Sequence, residues 1–96
     1  MGFVQIIEFR TSQPDQLKAL GEKWMEATEG RRTLQRELVC ANRDEPGHYV
    51  EVVEFESYES AMKNSELPET QEISAQMAAL CDGPIRFLNL DVIASY

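Results

Sequence analysis

The chain has 96 residues, which is enough for one domain with one modest hydrophobic core. Its 17 acidic and 9 basic residues give a formal net charge of −8, which argues against nucleic acids and anionic membrane surfaces as partners, because both are held by basic side chains. No apolar run approaches the length of a membrane-spanning helix, so we expect no membrane segment.

The first part of the chain predicts a strand followed by an amphipathic helix. Residues 3–10 (FVQIIEFR) are rich in β-branched and aromatic side chains and predict a strand. They lack the basic and then apolar segments of a signal peptide, so we expect a cytoplasmic protein. Pro14 suits the first turn of a helix that should end at Gly30, and the apolar stripe of this helix includes Leu17, Leu20 and Trp24.

The rest of the chain predicts a hairpin, a broken helix and a last strand. Residues 33–43 and 48–57 predict two strands, and the turn sequence DEPG joins them. A short helix over residues 58–64 should then break, restart at Pro68 and stop at the sequence CDGP. Residues 85–96 predict the fourth strand.

This order of elements predicts one α+β domain over residues 1–96. The expected architecture is ferredoxin-like, βαββαβ, with a four-stranded antiparallel sheet and two helices on one face. Alternate side chains of a strand point to opposite faces, and both faces of this sheet are apolar. On the third strand, one face carries Tyr49, Glu51, Val53 and Phe55, and the other carries His48, Val50, Val52 and Glu54. Because the helices cover only one face, we expect a homodimer that packs sheet to sheet into an α+β barrel.

The cysteine and histidine content predicts no metal site. Cys40 and Cys81 are far apart in the sequence and His48 is the only histidine, so a structural zinc site would lack its four ligands. We expect reduced, buried thiols rather than a disulfide, and no cofactor. Charged side chains of the strands, Glu8, Arg10, Glu54 and Asp91, are expected to form structural ion pairs, with Arg10 paired to Glu8 or Glu54.

Residues 50–69 (VEVVEFESYESAMKNSELPE) combine a strand that ends in Phe-Glu-Ser, a short helix and a break that contains proline. In this combination the chain resembles the dimeric α+β barrel superfamily, in particular its small members similar to antibiotic biosynthesis monooxygenases and polyketide cyclases. The resemblance implies a homodimer with a small ligand between the helices and the sheet of each subunit. In cyclases and haem-degrading members of this superfamily a functional histidine lies at the break, where Asn64 and Thr70 stand here.

The resemblance to cofactor-independent monooxygenases implies a role for Asn64, because such enzymes hold a polyphenolic substrate with asparagine and tryptophan while the substrate's own enolate reacts with oxygen. Asn64 is therefore one candidate catalytic residue, although it also suits a simple helix end. His48 is the other candidate, as a general base, although its position at a hairpin end favours a solvated side chain.

Four further residues are candidates for substrate binding. Trp24 can form an aromatic wall of a pocket or an ordinary part of the core. Gln5 sits among apolar neighbours and, if buried, its amide needs either a backbone partner or a ligand. Thr70 can line a pocket or merely complete a joint between helices, and Tyr49 belongs to the core or to the rim of the site.

The first functional hypothesis is an enzyme that acts on an aromatic or polyketide-type substrate, similar to a cofactor-independent monooxygenase or a cyclase. No strong base is evident in the predicted pocket, so the substrate itself would need a low pKa. The alternative is a non-catalytic module for ligand binding or assembly, which the apolar faces of the sheet already explain. A haem-binding or haem-degrading protein ranks below both, because no histidine stands at the expected place.

Overall fold

The computed structural model describes residues 2–96 and contains four strands and three helices. The elements are β1 (Phe3–Arg10), α1 (Pro14–Ala27), β2 (Arg36–Ala41), β3 (His48–Phe55), α2 (Tyr58–Glu66), α3 (Pro68–Leu80) and β4 (Arg86–Asp91). The predicted order of elements is confirmed, with α2 and α3 as the two parts of the broken helix. The second and fourth strands are shorter than predicted, and α1 ends one turn before Gly30.

The four strands form one antiparallel sheet in the order β2-β3-β1-β4, as a ferredoxin-like arrangement requires. The central strand β1 pairs with β3 on one side and with β4 on the other. Ile7 of β1 lies opposite Glu51 of β3 and Phe87 of β4, which fixes the register of all three strands. The predicted fold class is confirmed.

The break between α2 and α3 is a single residue, Leu67, whose backbone leaves the helical region (φ −59°, ψ 132°). Pro68 follows at the first position of α3, where its lack of an N–H costs nothing. Ser57 caps the start of α2, since its side chain accepts a hydrogen bond from the backbone N–H of Ser60 at 3.1 Å. The predicted restart at Pro68 is confirmed, and α2 continues to Glu66, beyond its predicted end at residue 64.

The small hydrophobic core lies at the end of the sheet where β1 begins and β3 ends. Phe3, Val53 and Phe55 pack there beneath Ala61 of α2. The ring of Tyr58 meets that of Phe3 edge to face, with centroids 5.5 Å apart. Helices α1 and α3 pack mainly on each other over the rest of this face, whereas α2 contacts β3. This arrangement leaves a space between the sheet and the α1–α3 pair.

The opposite face of the sheet, which no helix of residues 2–96 covers, carries an apolar row that crosses all four strands. In strand order the row consists of Leu38, Val52, Ile6 and Leu88. Leu38 is 40% exposed and Leu88 is 47% exposed in the single chain. A continuous apolar surface of this kind supports the predicted sheet-to-sheet homodimer, which remains a prediction.

Charged side chains border the uncovered face, but their pairing differs from the prediction. Arg10 pairs with Glu45 of the hairpin turn at 2.6 Å, not with Glu8 or Glu54. Glu8 pairs instead with Arg86 across β1 and β4, at 3.3 Å. The turn sequence places Glu45 close to the end of β1, a proximity that strand alternation alone does not predict.

Neither cysteine forms a disulfide, in agreement with the prediction of free thiols. The predicted burial is wrong for Cys40, which is exposed in the single chain because it lies on the edge strand β2 and on the uncovered face of the sheet, as Leu38 does. Cys81 is half-buried at the end of α3. Within residues 2–96, no helix is both long and apolar enough to cross a membrane.

Candidate active site

A cavity of about 960 Å³ lies between the helix-covered face of the sheet and the α1–α3 pair. All four strands and all three helices contribute to its wall, and the wall is largely apolar. Its volume falls at the upper end of the range of roughly 300–1,000 Å³ that is usual for sites that hold a small organic ligand. A cavity of this kind, placed between helices and sheet, is where a ligand would bind.

Trp24 and Thr70 close one part of this cavity through a direct hydrogen bond. The indole Nε1–H of Trp24, on α1, donates to Oγ1 of Thr70 in the first turn of α3 at 2.8 Å. The side chain of Trp24 is 8% exposed and lines the cavity, as does Thr70. The structure thus brings two predicted site residues together, 46 positions apart in the chain.

Asn64 is a buried amide in the wall of the cavity. It lies on α2, is 7% exposed, and its Oδ1 accepts a hydrogen bond from the backbone N–H of Thr33 at 3.1 Å. Within residues 2–96 its Nδ2 has no hydrogen-bond partner. Every fully buried side-chain nitrogen or oxygen of this region has a partner, so Nδ2 is not fully buried. The amide nitrogen is therefore open to the cavity that Asn64 lines, and it can donate to a ligand oxygen.

Gln5 and Tyr49 both line the cavity, each on a strand of the floor. Nε2 of Gln5 donates to Oδ1 of Asn89 on the neighbouring strand β4 at 3.1 Å, so its amide is paired across the sheet rather than with the backbone. The ring of Tyr49 stacks on that of Phe9, with centroids 5.7 Å apart and 18° between the planes. These two residues therefore form part of the cavity floor.

His48 lies on the uncovered face of the sheet, on the side away from the cavity. Its Nδ1 is 2.9 Å from Nδ2 of Asn42, and its Nε2 is 3.3 Å from a carboxylate oxygen of Glu8. The regular alternation of β3 turns its side chain away from the helices. The structure does not bring His48 together with Asn64, and since it is the only histidine of the sequence, no histidine lines the cavity.

Two carboxylates on the cavity floor, Glu51 and Glu37, are functional candidates that the sequence reasoning missed. Glu51 lies opposite Val39 of β2, and Glu37 is two residues before Val39. The two glutamates therefore share one face of the sheet and are diagonal neighbours across the two strands. Burial raises the pKa of Glu51 to about 7, and the charge of Glu37 adds to this effect. Water reaches Glu37 through the open side of the cavity, yet enough protein surrounds it for burial to raise its pKa as well.

The signal that could have found Glu51 is present in the sequence of β3, HYVEVVEF. Alternation places Glu51 on the same side as Val53 and Phe55, which are core residues, and a carboxylate among core positions is unusual. Neither Glu51 nor Glu37 has an ion-pair partner within residues 2–96. The sequence made no strong base in the pocket evident, whereas the structure places the Glu51 carboxyl in its wall, where burial raises its pKa to about 7.

The described part of the chain, residues 2–96, contains no group of three or more histidine, cysteine or carboxylate side chains placed to hold a metal ion. The polar groups that face the cavity are an amide, a hydroxyl, an indole N–H and carboxylates. Such groups can orient a ligand and transfer a proton.

Comparison with known proteins identifies the fold. No protein-family model matches the sequence, and no curated protein matches it. A conserved protein from Methanosarcina mazei Go1 superposes with a TM-score of 0.83 at 11% identity, over 94% of this chain and 91% of that one. SnoaB, a cofactor-independent oxygenase from Streptomyces nogalater, gives a TM-score of 0.82 at 10% identity, over 98% and 95% of the two chains.

A further solved structure, described as an antibiotic biosynthesis monooxygenase, superposes with a TM-score of 0.77 at 15% identity and covers 98% of this chain and 100% of that one. At these identities the likeness establishes a shared fold and no more. The resemblance inferred from residues 50–69 is confirmed at this level: the chain has the fold of proteins similar to antibiotic biosynthesis monooxygenases.

Proposed function

We propose that this protein is a cofactor-independent, monooxygenase-like enzyme that binds an aromatic, polyketide-type phenol in the cavity between helices and sheet. The observation that carries this proposal is the amide of Asn64, which is held by the backbone of Thr33 with its nitrogen open to a largely apolar cavity. Such a cavity suits a fused aromatic ligand, and the amide supplies a hydrogen bond to one of its oxygens. The likeness of fold to SnoaB agrees with this proposal.

The chemistry belongs mostly to the substrate. In an anthrone, the ring CH₂ group loses a proton and forms an enolate, which is electron-rich enough to reduce molecular oxygen. The carbon then gains one oxygen atom as a carbonyl, and the second oxygen atom leaves as water. One O₂ is consumed for each quinone formed, so no other reductant is needed.

The protein's part is to hold the substrate and to stabilise the enolate. The Nδ2–H of Asn64 donates to the enolate oxygen, where negative charge develops, and a hydrogen bond of this kind is worth more among apolar side chains than in bulk water. Trp24 provides a flat apolar surface for the rings, and its bond to Thr70 fixes the orientation of the indole. Gln5, held by Asn89, lies on the floor and can orient a second oxygen of the substrate.

The direct test is oxygen uptake with 1,8-dihydroxyanthrone as the probe, followed with an oxygen electrode while the quinone is measured by absorbance. We expect uptake well above the protein-free rate, with one O₂ consumed per quinone and a large loss in Asn64→Ala. If the protein converts the anthrone equally well without oxygen, the result would indicate a cyclase-like activity instead.

A non-catalytic role is the second candidate, and the apolar row on the uncovered face supports it, because an assembly module needs such a surface. Quenching of Trp24 fluorescence by the same anthrone distinguishes the two. Saturable quenching without turnover indicates a binding module, and no quenching in an intact dimer indicates an assembly module. A homodimer, joined through the uncovered faces, is part of both proposals.

A further inference from the structure

Glu51 occupies a central position on the floor of the cavity. It lies on β3 between Ile7 of β1 and Val39 of β2, and its neighbours along the same face of β3 are Tyr49 and Val53. Four of the side chains around it are therefore aliphatic or aromatic. The Glu51 carboxylate has no ion-pair partner within residues 2–96, so no salt bridge of this region accounts for its position on the floor.

The charged surroundings of Glu51 come from several elements. On β2, Glu37 faces the same cavity and its charge disfavours a second negative charge on Glu51. Cys81, at the end of α3, is near enough that the charge of Glu51 contributes to raising the pKa of its thiol, after burial and Asp82. Helix α1 contributes three titratable side chains to the wall: Asp15, Lys18 and Glu22. Residues of β1 and β4 in the wall are uncharged.

We propose, on the basis of the function proposed above, that Glu51 is the general base that removes the ring CH₂ proton of a neutral phenolic substrate. Glu37 is the neighbour whose charge adjusts the basicity of Glu51. A second observation points to a ligand at this place. The amide nitrogen of Asn64, a side chain more than nine-tenths buried, is unpaired within residues 2–96 and open to the same cavity. One cavity wall therefore contains a proton acceptor, Glu51, and a hydrogen-bond donor for the oxyanion, Asn64.

The proton transfer moves one negative charge and creates none. The C–H bond of the substrate breaks, its proton goes to a carboxylate oxygen of Glu51, and the electron pair remains on the substrate as the enolate. The enolate oxygen accepts the hydrogen bond from Asn64. After O₂ has added to the carbon, the remaining C–H bond and the O–O bond break as the carbonyl forms. The departing oxygen takes up that proton and the proton on Glu51 and leaves as water.

The acidity of Glu51 suits this step. A base that titrates at about 7 is ionised in half or more of the molecules at neutral pH and above. It is also a stronger base than an ordinary carboxylate, which narrows the difference in pKa between the base and the weakly acidic CH₂ group of the substrate. The acidic wall indicates a neutral substrate, because among the described lining residues Lys18 is the one cation beside four carboxylates.

The experiment separates proton transfer from oxidation. 1,8-Dihydroxyanthrone is incubated with the protein in D₂O without oxygen, and the exchange of its ring CH₂ protons for deuterium is followed by NMR. Oxygen uptake is measured in parallel. The variants are Glu51→Gln, Glu37→Gln and, as a matched control, Glu26→Gln, which is exposed on α1 and outside the cavity wall.

We expect the wild-type protein to accelerate exchange, with a rate that rises with pH and levels off above about 7. Glu51→Gln should lower the rate about 100-fold or more and remove this pH dependence. Glu37→Gln should move the midpoint of this pH dependence to lower pH, because a like charge beside Glu51 is lost. Glu26→Gln should behave as wild type, and binding of the anthrone, followed by Trp24 fluorescence, should change less than about threefold in every variant.

Two results would overturn the inference. If Glu51→Gln exchanges protons and takes up oxygen at the wild-type rate, Glu51 is not the base, and the proposed oxygenase function stands without it. If Glu51→Gln abolishes anthrone binding, the carboxylate serves recognition and not proton transfer. Exchange that depends on Glu51 without oxygen uptake would instead support the base and reject the oxygenase, and a wild-type protein that does neither would reject both.

Discussion

The hydrogen bond from Nε1 of Trp24 to Oγ1 of Thr70, 2.8 Å long, ties helix α1 to the first turn of α3 directly beyond the helix break. An exposed ion pair between Arg31 and Glu69 joins the same two regions. The break at Leu67 is thus more than a joint, because it positions Thr70 where the indole of Trp24 can reach it. The orientation of one wall of the cavity depends on this contact.

Replacement of Thr70 by valine should test the contact. Valine has nearly the same shape as threonine but cannot accept a hydrogen bond, so the half-buried indole N–H would lose its partner. We expect the free energy of unfolding to fall by about 1–2 kcal/mol, measured by urea denaturation. Thr70→Ser keeps the hydroxyl and should stay within about 0.5 kcal/mol of wild type. If Thr70→Val is as stable as Thr70→Ser, the hydrogen bond contributes nothing to stability.

Asn64 should matter more for turnover than Thr70 does. Asn64→Ala removes a donor to the developing oxyanion, and we expect oxygen uptake with 1,8-dihydroxyanthrone to fall about 100-fold. Asn64→Asp is the sharper variant, because its carboxylate still accepts the hydrogen bond from the backbone of Thr33 while the donor is lost. Its activity should fall at least as far, and Thr70→Val should lose only a small part. Equal, small effects of all three would mean that the break has no catalytic part.

Most of the fold could be predicted because local patterns agree with the tertiary structure. Alternation of side chains assigned the two faces of β3 correctly, and proline marked the first turn of both α1 and α3. The lengths of β2 and β4 were predicted less well, since these edge strands end where pairing with the neighbouring strand ends. No local pattern in residues 85–96 indicates that the strand stops at Asp91.

The site could be predicted only in part, because it is made of contacts between distant segments. Trp24 and Asn64 follow from their residue types and from the position of the break. The hydrogen bond between Trp24 and Thr70 depends on the packing of α1 on α3, which the sequence does not specify. Alternation along β3 placed Glu51 on the correct face. The rise of its pKa to about 7 comes from burial among apolar residues and from the charge of Glu37, and the sequence specifies neither. Conversely, the residue type of His48 suggested a base, and its position on the strand directs it away from the cavity.

Trp24→Ala should abolish ligand binding without loss of the dimer. The indole is 8% exposed and lies on the cavity side, remote from the uncovered face. Its removal should also lower the free energy of unfolding by about 3–5 kcal/mol, as for other buried aromatic residues. Because this variant has no tryptophan, binding of the anthrone is measured by calorimetry and the assembly by sedimentation velocity. Dissociation of the dimer in Trp24→Ala would show that Trp24 mainly supports the core.

The proposed dimer should depend on the apolar row of the uncovered face. Val52 lies in the middle of that row, between Ile6 and Leu38. A lysine there would place a charge in the centre of a sheet-to-sheet interface, so we expect Val52→Lys to be monomeric by sedimentation velocity. Ala78→Lys, at an exposed position of α3 outside the cavity wall, is the matched control and should remain dimeric. A dimeric Val52→Lys would place the interface elsewhere.

Glu51 should make the protein less stable at alkaline than at acidic pH. In the folded chain its pKa is raised from 4.5 to about 7, so between these values the folded state binds more protons than the unfolded state. The free energy of unfolding therefore falls as pH rises through this window and is constant above it, as far as Glu51 is concerned. One pKa unit corresponds to about 1.4 kcal/mol. Because water enters the cavity and weakens the effect of burial, we expect a total loss of about 2 kcal/mol, which is less than the full shift would give.

Glu51→Gln should remove this loss, because glutamine keeps the shape of the side chain and carries no charge. Urea denaturation at pH 4.5, 6 and 8 measures the effect. The variant should match wild type at pH 4.5 and be about 2 kcal/mol more stable at pH 8, while Glu26→Gln should follow wild type throughout. Higher stability together with lost proton transfer is the behaviour of a carboxylate kept for its chemistry at the cost of folding energy. A variant that gains nothing at pH 8 would show that Glu51 titrates as an ordinary surface carboxylate, and the argument for it as a base would fail with it.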